Sequence, residues 1–313
     1  MSAPRGKGQL RSVLQPQNTA TDEVVFGLRQ NRSTDRGSRQ YRTRQPSNEA
    51  QVLLSNTADG VVFPRAPRPQ RHCLRRDRLN MKFFSRFIDK SRDASNITDY
   101  FDDLGKLAEV IHEHAPKFDR WYLTGETKED ALLYSAFEHW KPTTAALAVV
   151  RTERGRNDYA SISLWDGGND EEESASLSCV ITPKDNAKEI EADFVDDQLF
   201  AMESALAIVS TLIELTSPSY LTVQPYGYFE KQVFDDKPGV GWMLYLPKVI
   251  TQQQVPEARA LIPVPAKGKQ TGTIIVSVTD APFSVDNPEH VAIANRIEIR
   301  LVDQDLLPAY VDI

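Results

Sequence analysis

The spacing of apolar residues predicts two helices between residues 96 and 142. Apolar positions recur at three- and four-residue intervals over residues 97–111, behind the capping candidates Ser95 and Asn96, which is typical of an amphipathic helix. A second helix is predicted after Thr127, whose side chain can cap it, and is expected to end at Pro142. The apolar stripe of this second helix is Leu132, Leu133, Ala136, Phe137 and Trp140.

Two more helices are predicted further along the chain. Residues 197–215 present an apolar stripe with further apolar residues beside it, which indicates a helix buried along much of its length. The last helix is expected to begin at Asn287 as cap, with Pro288 at its first position, and to run to about Asp303. About four helices are therefore predicted.

Between these helices the apolar period changes to two, which predicts strands. The short apolar run 147–150 and the alternating segments 160–164 and 175–181 are interpreted as strands, the last two forming a hairpin. Later strands are predicted around residues 221–223, 242–246, 261–264 and 273–278. Because helices and hairpin-type strands are mixed without regular alternation, the expected fold class is α+β, with a mainly antiparallel sheet.

Composition divides the chain near Met81. Residues 1–80 contain 15 Lys and Arg against 6 Asp and Glu, which leaves 22 basic and 38 acidic residues in 81–313. The first segment has no sustained period and is interpreted as a disordered, Arg-rich extension. We expect Met81 to be the true start, with residues 1–80 a start-site artefact, and residues 81–313 to form one α+β domain. An alternative remains open, in which the Arg-rich arm serves a nucleic-acid-binding regulator.

Other compositional features restrict the class of protein. No segment approaches the roughly 20 consecutive apolar residues of a membrane helix, so we expect a cytoplasmic protein without a membrane partner. Cys73 and Cys179 are the only cysteines, too few for a thiolate metal site. The nucleotide-binding and nucleophile motifs G-x-G-x-x-G, P-loop and G-x-S-x-G are missing from the sequence. No cofactor is therefore expected.

His112-Glu113-His114 is the string most like an enzyme site. Residues two apart on a helix point about 200° from each other, so both imidazoles cannot reach one metal ion within a helix. We therefore expect no metal site and no catalytic residue. A metal-dependent hydrolase that uses His112, His114 and His139 is kept as an alternative.

Acidic clusters are the remaining candidate chemistry. The first is Asp170, Glu171, Glu172 and Glu173, at the tip of the predicted hairpin, and others are Glu191 to Asp197 and the pair Asp235 and Asp236. Such clusters are common on solvated acidic surfaces, but they also suit a basic partner that is attracted over a distance. Together with the apolar surface near Tyr226 and Phe229, the first and last clusters are the candidate partner-binding residues.

Several motifs in one order resemble the Immunity protein 52 family of bacterial polymorphic-toxin systems, from about residue 96 to 310. They are Trp121-Tyr122-Leu123-Thr124-Gly125, Ser163-Leu164-Trp165-Asp166-Gly167, Gly239-Val240-Gly241-Trp242-Met243-Leu244-Tyr245-Leu246-Pro247, Pro256-Glu257-Ala258-Arg259, the strand 272–278, Asp286-Asn287-Pro288-Glu289-His290 and Ile297-Glu298-Ile299-Arg300-Leu301. Within them, the residues expected to serve the fold are Trp121, Trp165, Gly241, Trp242, Tyr245, Pro247, Asn287 and Pro288.

The resemblance implies an α+β immunity protein that protects the producing cell from a cognate toxin. The toxin would be a nuclease of restriction-endonuclease fold, often one delivered by contact-dependent secretion such as a type VI system. The protein would act by binding and occluding the toxin, without catalysis and without direct contact to nucleic acid. The resemblance does not specify interface residues, which therefore rest on the acidic and aromatic candidates above.

Overall fold

A computed structural model describes residues 80–89, 96–154, 160–168, 174–182 and 187–313. The predictions for residues 1–79 and for Asp170 to Glu173 lie outside these ranges. The strands are β1 (Met81–Ile88), β2 (Tyr122–Leu123), β3 (Phe137–Glu138), β4 (Lys141–Pro142), β5 (Ala160–Trp165), β6 (Ala175–Ile181), β7 (Ala187–Phe194), β8 (Tyr220–Pro225), β9 (Met243–Leu246), β10 (Ala260–Val264) and β11 (Gly272–Val276). The helices are α1 (Ile97–His114), α2 (Lys128–Ala131), α3 (Thr144–Arg154), α4 (Met202–Thr216) and α5 (Pro288–Asp303).

Nine strands form one sheet in the order β10-β11-β9-β8-β1-β7-β6-β5-β2. Every pairing in it is antiparallel. The predicted α+β class is confirmed, with five helices in the described ranges rather than about four. β1 lies at the centre, between β7 and β8.

One face of the sheet packs against α1 and α4. Phe83 and Phe87 of β1 are fully buried on this face. The hydroxyl groups of Ser85 and Thr216 of α4 lie 3.0 Å apart. Lys188 of β7 is also fully buried; its Nζ donates to the Asp89 carbonyl and lies 5.8 Å from the centre of the Tyr100 ring on α1. Alternate residues of β1 and β7 therefore point towards the helices, and those between them point to the opposite face.

The second helix predicted from the sequence is wrong beyond its first turn. Thr127 does cap α2, since its side chain accepts a hydrogen bond from the Asp130 amide, but the helix ends at Ala131. Most of the predicted stripe instead lies in a loop and in the β3–β4 hairpin. His139 and Trp140 form its two-residue turn with φ of 49° and 59°, the left-handed conformation that such tight hairpin turns require.

Leu132 and Leu133, which belong to the apolar stripe of that predicted helix, are exposed. The hairpin packs closely on α1, because a Cβ on Gly105 would lie 2.2 Å from the Trp140 carbonyl oxygen. Glycine at position 105 of α1 is what allows this approach.

The strand predicted at residues 147–150 is also wrong, because these residues lie inside α3. The Thr143 hydroxyl accepts a hydrogen bond from the Ala146 amide at 3.2 Å and caps the first turn. Ala146 and Val150 are buried four residues apart, which is helical spacing.

The other predicted elements are present with shifted ends. α1, the β5–β6 hairpin, β8, β9, β10, β11 and α5 all occur where the pattern predicts them. α4 begins at Met202 rather than near residue 197. In the part of the chain that the structure describes, no helix is long and apolar enough to cross a bilayer.

Candidate partner-binding surface

Three rows of side chains cross five strands on the face of the sheet opposite α1 and α4. Strand register defines them. The first row is Trp165, Ser176, Asp193, Lys82 and Gln224; the second is Ser163, Ser178, Glu191, Phe84 and Thr222; the third is Ser161, Val180, Glu189, Arg86 and Tyr220. Most of these side chains are half-buried. We call this surface the ladder face. An antiparallel sheet commonly packs one face on its core and leaves the other open in this way.

Two cations and three carboxylates lie at the centre of the ladder face. Lys82 Nζ donates to Glu191 at 2.8 Å and lies 4.0 Å from the Asp193 carboxylate. Arg86 pairs with Glu189. Arg86 also donates to the backbone carbonyl of Ile313 at 3.2 Å and 3.3 Å. The carboxylates of β7 therefore exceed the cations of β1 by one.

Lys82 has to serve two of those carboxylates. Burial lowers the pKa of Lys82, but its hydrogen bond to Glu191 and the charges of Asp193 and Glu191 outweigh burial and raise it overall. The ammonium therefore stays charged. Burial, followed by the hydrogen bond to Glu191, raises the pKa of Asp193 to about 7, against the lowering effect of Lys82.

This raised pKa predicts that stability falls as the pH rises towards neutrality. Because folded Asp193 holds its proton to about pH 7 and the unfolded chain releases it near 3.8, the stabilisation is complete below pH 3.8. It is lost progressively as the pH rises from there through about 7, where folded Asp193 ionises. Urea unfolding of wild type should show a free energy of unfolding lower at pH 8 than at pH 5, by about 1–3 kcal/mol from this group. Asp193→Asn should remove that part of the slope. The exposed Asp119→Asn variant is the control, and an unchanged slope in Asp193→Asn would refute the assignment.

Two exposed aromatic residues stand beside the first row of the ladder face. Tyr226 is 75% exposed and Phe229 is 61% exposed. A depression of about 330 Å³ lies between them and Lys82, and a second of about 450 Å³ runs over Phe84, Arg86 and Tyr310. Both depressions include Lys82, Gln224 and Phe229 in their walls, so the aromatic residues and the charged rows form one surface.

Gln224 adds an unsatisfied polar atom to this surface. Its side-chain Oε1 is shielded from solvent and has no hydrogen-bond partner among the described residues. A buried amide oxygen without a donor is costly. A donor supplied from outside the chain would remove that cost.

The β8–β9 connection, which carries Tyr226 and Phe229, is fixed by one buried carboxylate. Glu298 of α5 is 1% exposed. Its Oε1 accepts from the Tyr228 hydroxyl at 2.6 Å and the Val240 amide at 2.9 Å, and its Oε2 accepts from the Val233 amide at 2.8 Å. Burial raises the pKa of Glu298 and these three donors oppose the shift. The carboxylate therefore holds both ends of the connection against α5.

The same connection contains Asp235 and Asp236, which are exposed. The Asp236 backbone carbonyl accepts from the Tyr310 amide at 2.9 Å, which brings the C-terminal segment beside the ladder face. Lys237 lies 3.8 Å from the Asp236 carboxylate and partly neutralises it.

The connection containing Asp170 to Glu173 lies outside the described residues, but its two ends do not. β5 ends at Trp165 and β6 begins at Ala175. Both ends meet the first row of the ladder face. The connection therefore leaves and re-enters the sheet at the end where Asp193, Lys82 and Gln224 lie.

Comparison with protein-family models gives one match, to Immunity protein 52, over residues 95–310. The chain belongs to the Immunity protein 52 family. The family identity implies an immunity protein, and its partner is therefore a cognate toxin. A search of curated proteins finds no match. Among solved structures, the Pseudomonas aeruginosa T6SS protein PA0821 is similar with a TM-score of 0.45 and 9% identity, over 71% of this chain and 73% of that one.

The motif residues of this Immunity protein 52 chain lie mostly in its core. Trp121, Trp242 and Tyr245 are buried, and Trp165 is half-buried in the first row of the ladder face. Pro247 is exposed just after β9. At the start of α5, the Asn287 side chain accepts from the Glu289 amide at 3.0 Å, and Pro288 occupies the first helical position.

Gly241 has a specific backbone role. Its φ is 53°, and an added Cβ would lie 2.6 Å from Gln224 Cβ and 2.9 Å from the Val223 carbonyl oxygen. Only glycine lets the chain pass this close to β8 before Trp242 enters the core.

The histidines of the alternative hydrolase hypothesis are not assembled into a metal site. His112 packs its ring on Trp140 with 5.1 Å between ring centres. His114 is in the last turn of α1, and His139 is in the β3–β4 turn. Among the residues that the structure describes, no group of three or more His, Cys, Asp or Glu side chains could hold a metal ion.

Sequence reasoning identified Tyr226 and Phe229 and noted the acidic cluster from Glu191 to Asp197. It did not predict the strand that carries this cluster or its pairing with Lys82 and Arg86. The segment Ala187–Phe194 alternates Ile190, Ala192 and Phe194 with Glu189, Glu191 and Asp193. This period of two was the available signal for a strand with one acidic face. Lys82 and Arg86 show the same alternation in β1.

Proposed function

We propose that this Immunity protein 52 chain neutralises a DNA-cleaving toxin of restriction-endonuclease fold by binding over it, without catalysis. The observation that carries the immunity role is the family match over residues 95–310. The choice of a nuclease rests on charge and on what the resemblance implies.

The charge of residues 81–313 supports a basic partner. Residues 81–313 contain 38 acidic and 22 basic residues. A nuclease that cuts DNA needs a positively charged cleft for the phosphate backbone. An acidic protein of this kind would compete with DNA for that cleft and would be drawn to it electrostatically.

The open surface supports binding as the mode of action. The ladder face and its exposed aromatic residues offer the combination of aromatic anchors and polar surroundings that protein interfaces use. Tyr226 and Phe229 would desolvate on contact with the toxin, while the charged rows would fix its orientation.

A plasmid-cleavage assay tests the nuclease assignment. The product of the adjacent toxin gene, purified alone, should cleave supercoiled plasmid, and an equimolar amount of this chain should suppress the cleavage. A toxin that leaves plasmid intact under all metal conditions while still killing cells would overturn the nuclease class. A toxin that cleaves equally fast with and without this chain would overturn the immunity role for that pair.

The acidic connection between β5 and β6 is proposed to accelerate encounter with the toxin. Converting Asp170, Glu171, Glu172 and Glu173 to Asn or Gln should slow association at low salt by about tenfold, flatten its salt dependence and leave folding unchanged. Stopped-flow association at low and high salt measures this.

A control variant removes the same number of charges elsewhere. Glu109 and Glu113 of α1 and Glu203 and Glu214 of α4 are exposed on helices that pack against the opposite face. Neutralising these four tests whether the effect comes only from net charge. Equal rates for the two variants at both salt concentrations would show that the β5–β6 connection has no specific role.

A further inference from the structure

We infer that the ladder face, between the carboxylates of β7 and the aromatic residues Tyr226 and Phe229, is the surface that receives a basic side chain of the toxin. This inference rests on the proposed function, in that it takes the toxin to be the partner. It assigns this recognition to one surface, whereas the candidates from the sequence were two separate acidic clusters and the apolar surface near Tyr226 and Phe229.

The charge balance of the surface favours a cation as occupant. Glu189 has its own partner in Arg86. Glu191 and Asp193 share Lys82, with distances of 2.8 Å and 4.0 Å. The raised pKa of Asp193 leaves this carboxyl partly protonated near pH 7, and a second cation beside it would favour its ionised form and pair with it. The surface therefore complements an incoming lysine or arginine and disfavours an acidic group.

The Gln224 amide oxygen favours a hydrogen-bond donor at the same place. Gln224 of β8 faces Lys82 across the β1–β8 pairing, and β1 separates it from Asp193 of β7. Its shielded Oε1 lacks a partner among the described residues. Arginine presents several donors in a planar fork and can reach a carboxylate and an amide oxygen together.

The aromatic residues supply the apolar part of the contact. Phe229 lines both depressions, and Tyr226 lines the smaller one. The long apolar stem of a lysine or arginine can pack along such rings while its charged end reaches the carboxylates. The depressions of about 330 Å³ and 450 Å³ have room for one or two such side chains.

The position of the aromatic residues is fixed before binding. Tyr228, between Tyr226 and Phe229, is fully buried and donates to Glu298. A surface held in place in the free protein loses less conformational entropy on association. This favours the β8–β9 connection as an anchor rather than as a segment that orders on binding.

Two double variants test the inference by titration of the full chain against the purified product of the adjacent toxin gene. Glu191→Gln with Asp193→Asn should weaken the equilibrium affinity at least tenfold. Tyr226→Ala with Phe229→Ala should weaken it by tenfold to a hundredfold, mainly by faster dissociation. Unfolding of each variant by urea shows that it is folded.

Matched controls lie away from the first row of the ladder face and its aromatic residues. Glu109→Gln with Glu113→Gln removes two exposed carboxylates from α1. Val249→Ala removes an apolar side chain, 52% exposed, from the connection after β9, at the other end of β8 from Tyr226. Both controls should bind within about twofold of wild type.

The outcomes separate this inference from the proposed function. If wild type binds the toxin and both double variants bind within threefold of it, the ladder face is not the interface and the immunity role stands. If wild type neither binds nor suppresses the toxin, the proposed function itself fails. Loss of affinity that is equal in the α1 control and in the Glu191 and Asp193 variant would indicate net charge alone, and would overturn the assignment of the surface.

Discussion

Replacing Glu298 with alanine is expected to lower the free energy of unfolding by roughly 3–5 kcal/mol. The change leaves the amides of Val233 and Val240 without an acceptor. The Tyr228 hydroxyl loses its 2.6 Å bond and keeps only Asn295 Oδ1, at 3.2 Å. Each unsatisfied donor costs about 1–3 kcal/mol, and the desolvated carboxylate that is removed offsets part of the sum. Urea unfolding measured by fluorescence gives the value.

Glu298→Gln is the matched control because it keeps one acceptor oxygen. That oxygen can still receive the Tyr228 and Val240 donors, but the new amide NH₂ faces the Val233 amide. An intermediate loss of about 1–3 kcal/mol is expected. A Glu298→Ala variant within 1 kcal/mol of wild type would contradict the role given to this carboxylate in holding the β8–β9 connection.

Trp242→Ala is also expected to have a large effect, lowering the free energy of unfolding by about 3–5 kcal/mol. The side chain is 1% exposed, and its Nε1 donates to the Val278 carbonyl at 2.9 Å. The substitution opens a cavity between β9 and the segment after β11 and leaves that carbonyl without its donor.

Trp242→Phe separates packing from hydrogen bonding. It retains an aromatic ring but removes the donor, and it should cost about 1–3 kcal/mol by urea unfolding. A Trp242→Ala protein that is as stable as wild type but no longer binds the toxin would instead place Trp242 in the interface.

Elements with a local chemical signal could be predicted from the sequence. The Asn287-Pro288 pair predicted the start of α5. The alternation of serine with apolar residues predicted the β5–β6 hairpin and which of its residues point to each face of the sheet. In both cases the side chains that determine the element lie within it, so a window of a few residues contains the cause.

Elements determined by distant contacts could not be predicted in the same way. After Ala131 the chain has helical periodicity, yet it folds as a loop and hairpin because Trp140 packs against Gly105 of α1. The apolar run 147–150 suits a buried strand or a buried helix equally well. The Thr143 cap and the packing of Ala146 and Val150 stabilise the helix rather than a strand.

The residues of the candidate surface could likewise be recognised in the sequence, whereas their arrangement in the sheet could not. Exposed aromatic residues and clusters of carboxylates are visible in the sequence, and Tyr226, Phe229, Asp235 and Asp236 were found there. That Lys82 meets Glu191 and Asp193 is set by the pairing of β1 with β7, more than a hundred residues apart. Register over such a separation is a property of the folded sheet.

We propose that this chain neutralises its toxin by stoichiometric, non-catalytic binding. Toxin activity can be titrated against increasing amounts of this chain, and the toxin then separated under denaturing conditions and refolded. Stoichiometric binding predicts a linear fall in activity that reaches zero near one molecule of this chain per toxin, and recovery of full activity and unchanged mass after separation. Complete inactivation at a small fraction of one equivalent, or a toxin that stays inactive with an altered mass, would contradict it.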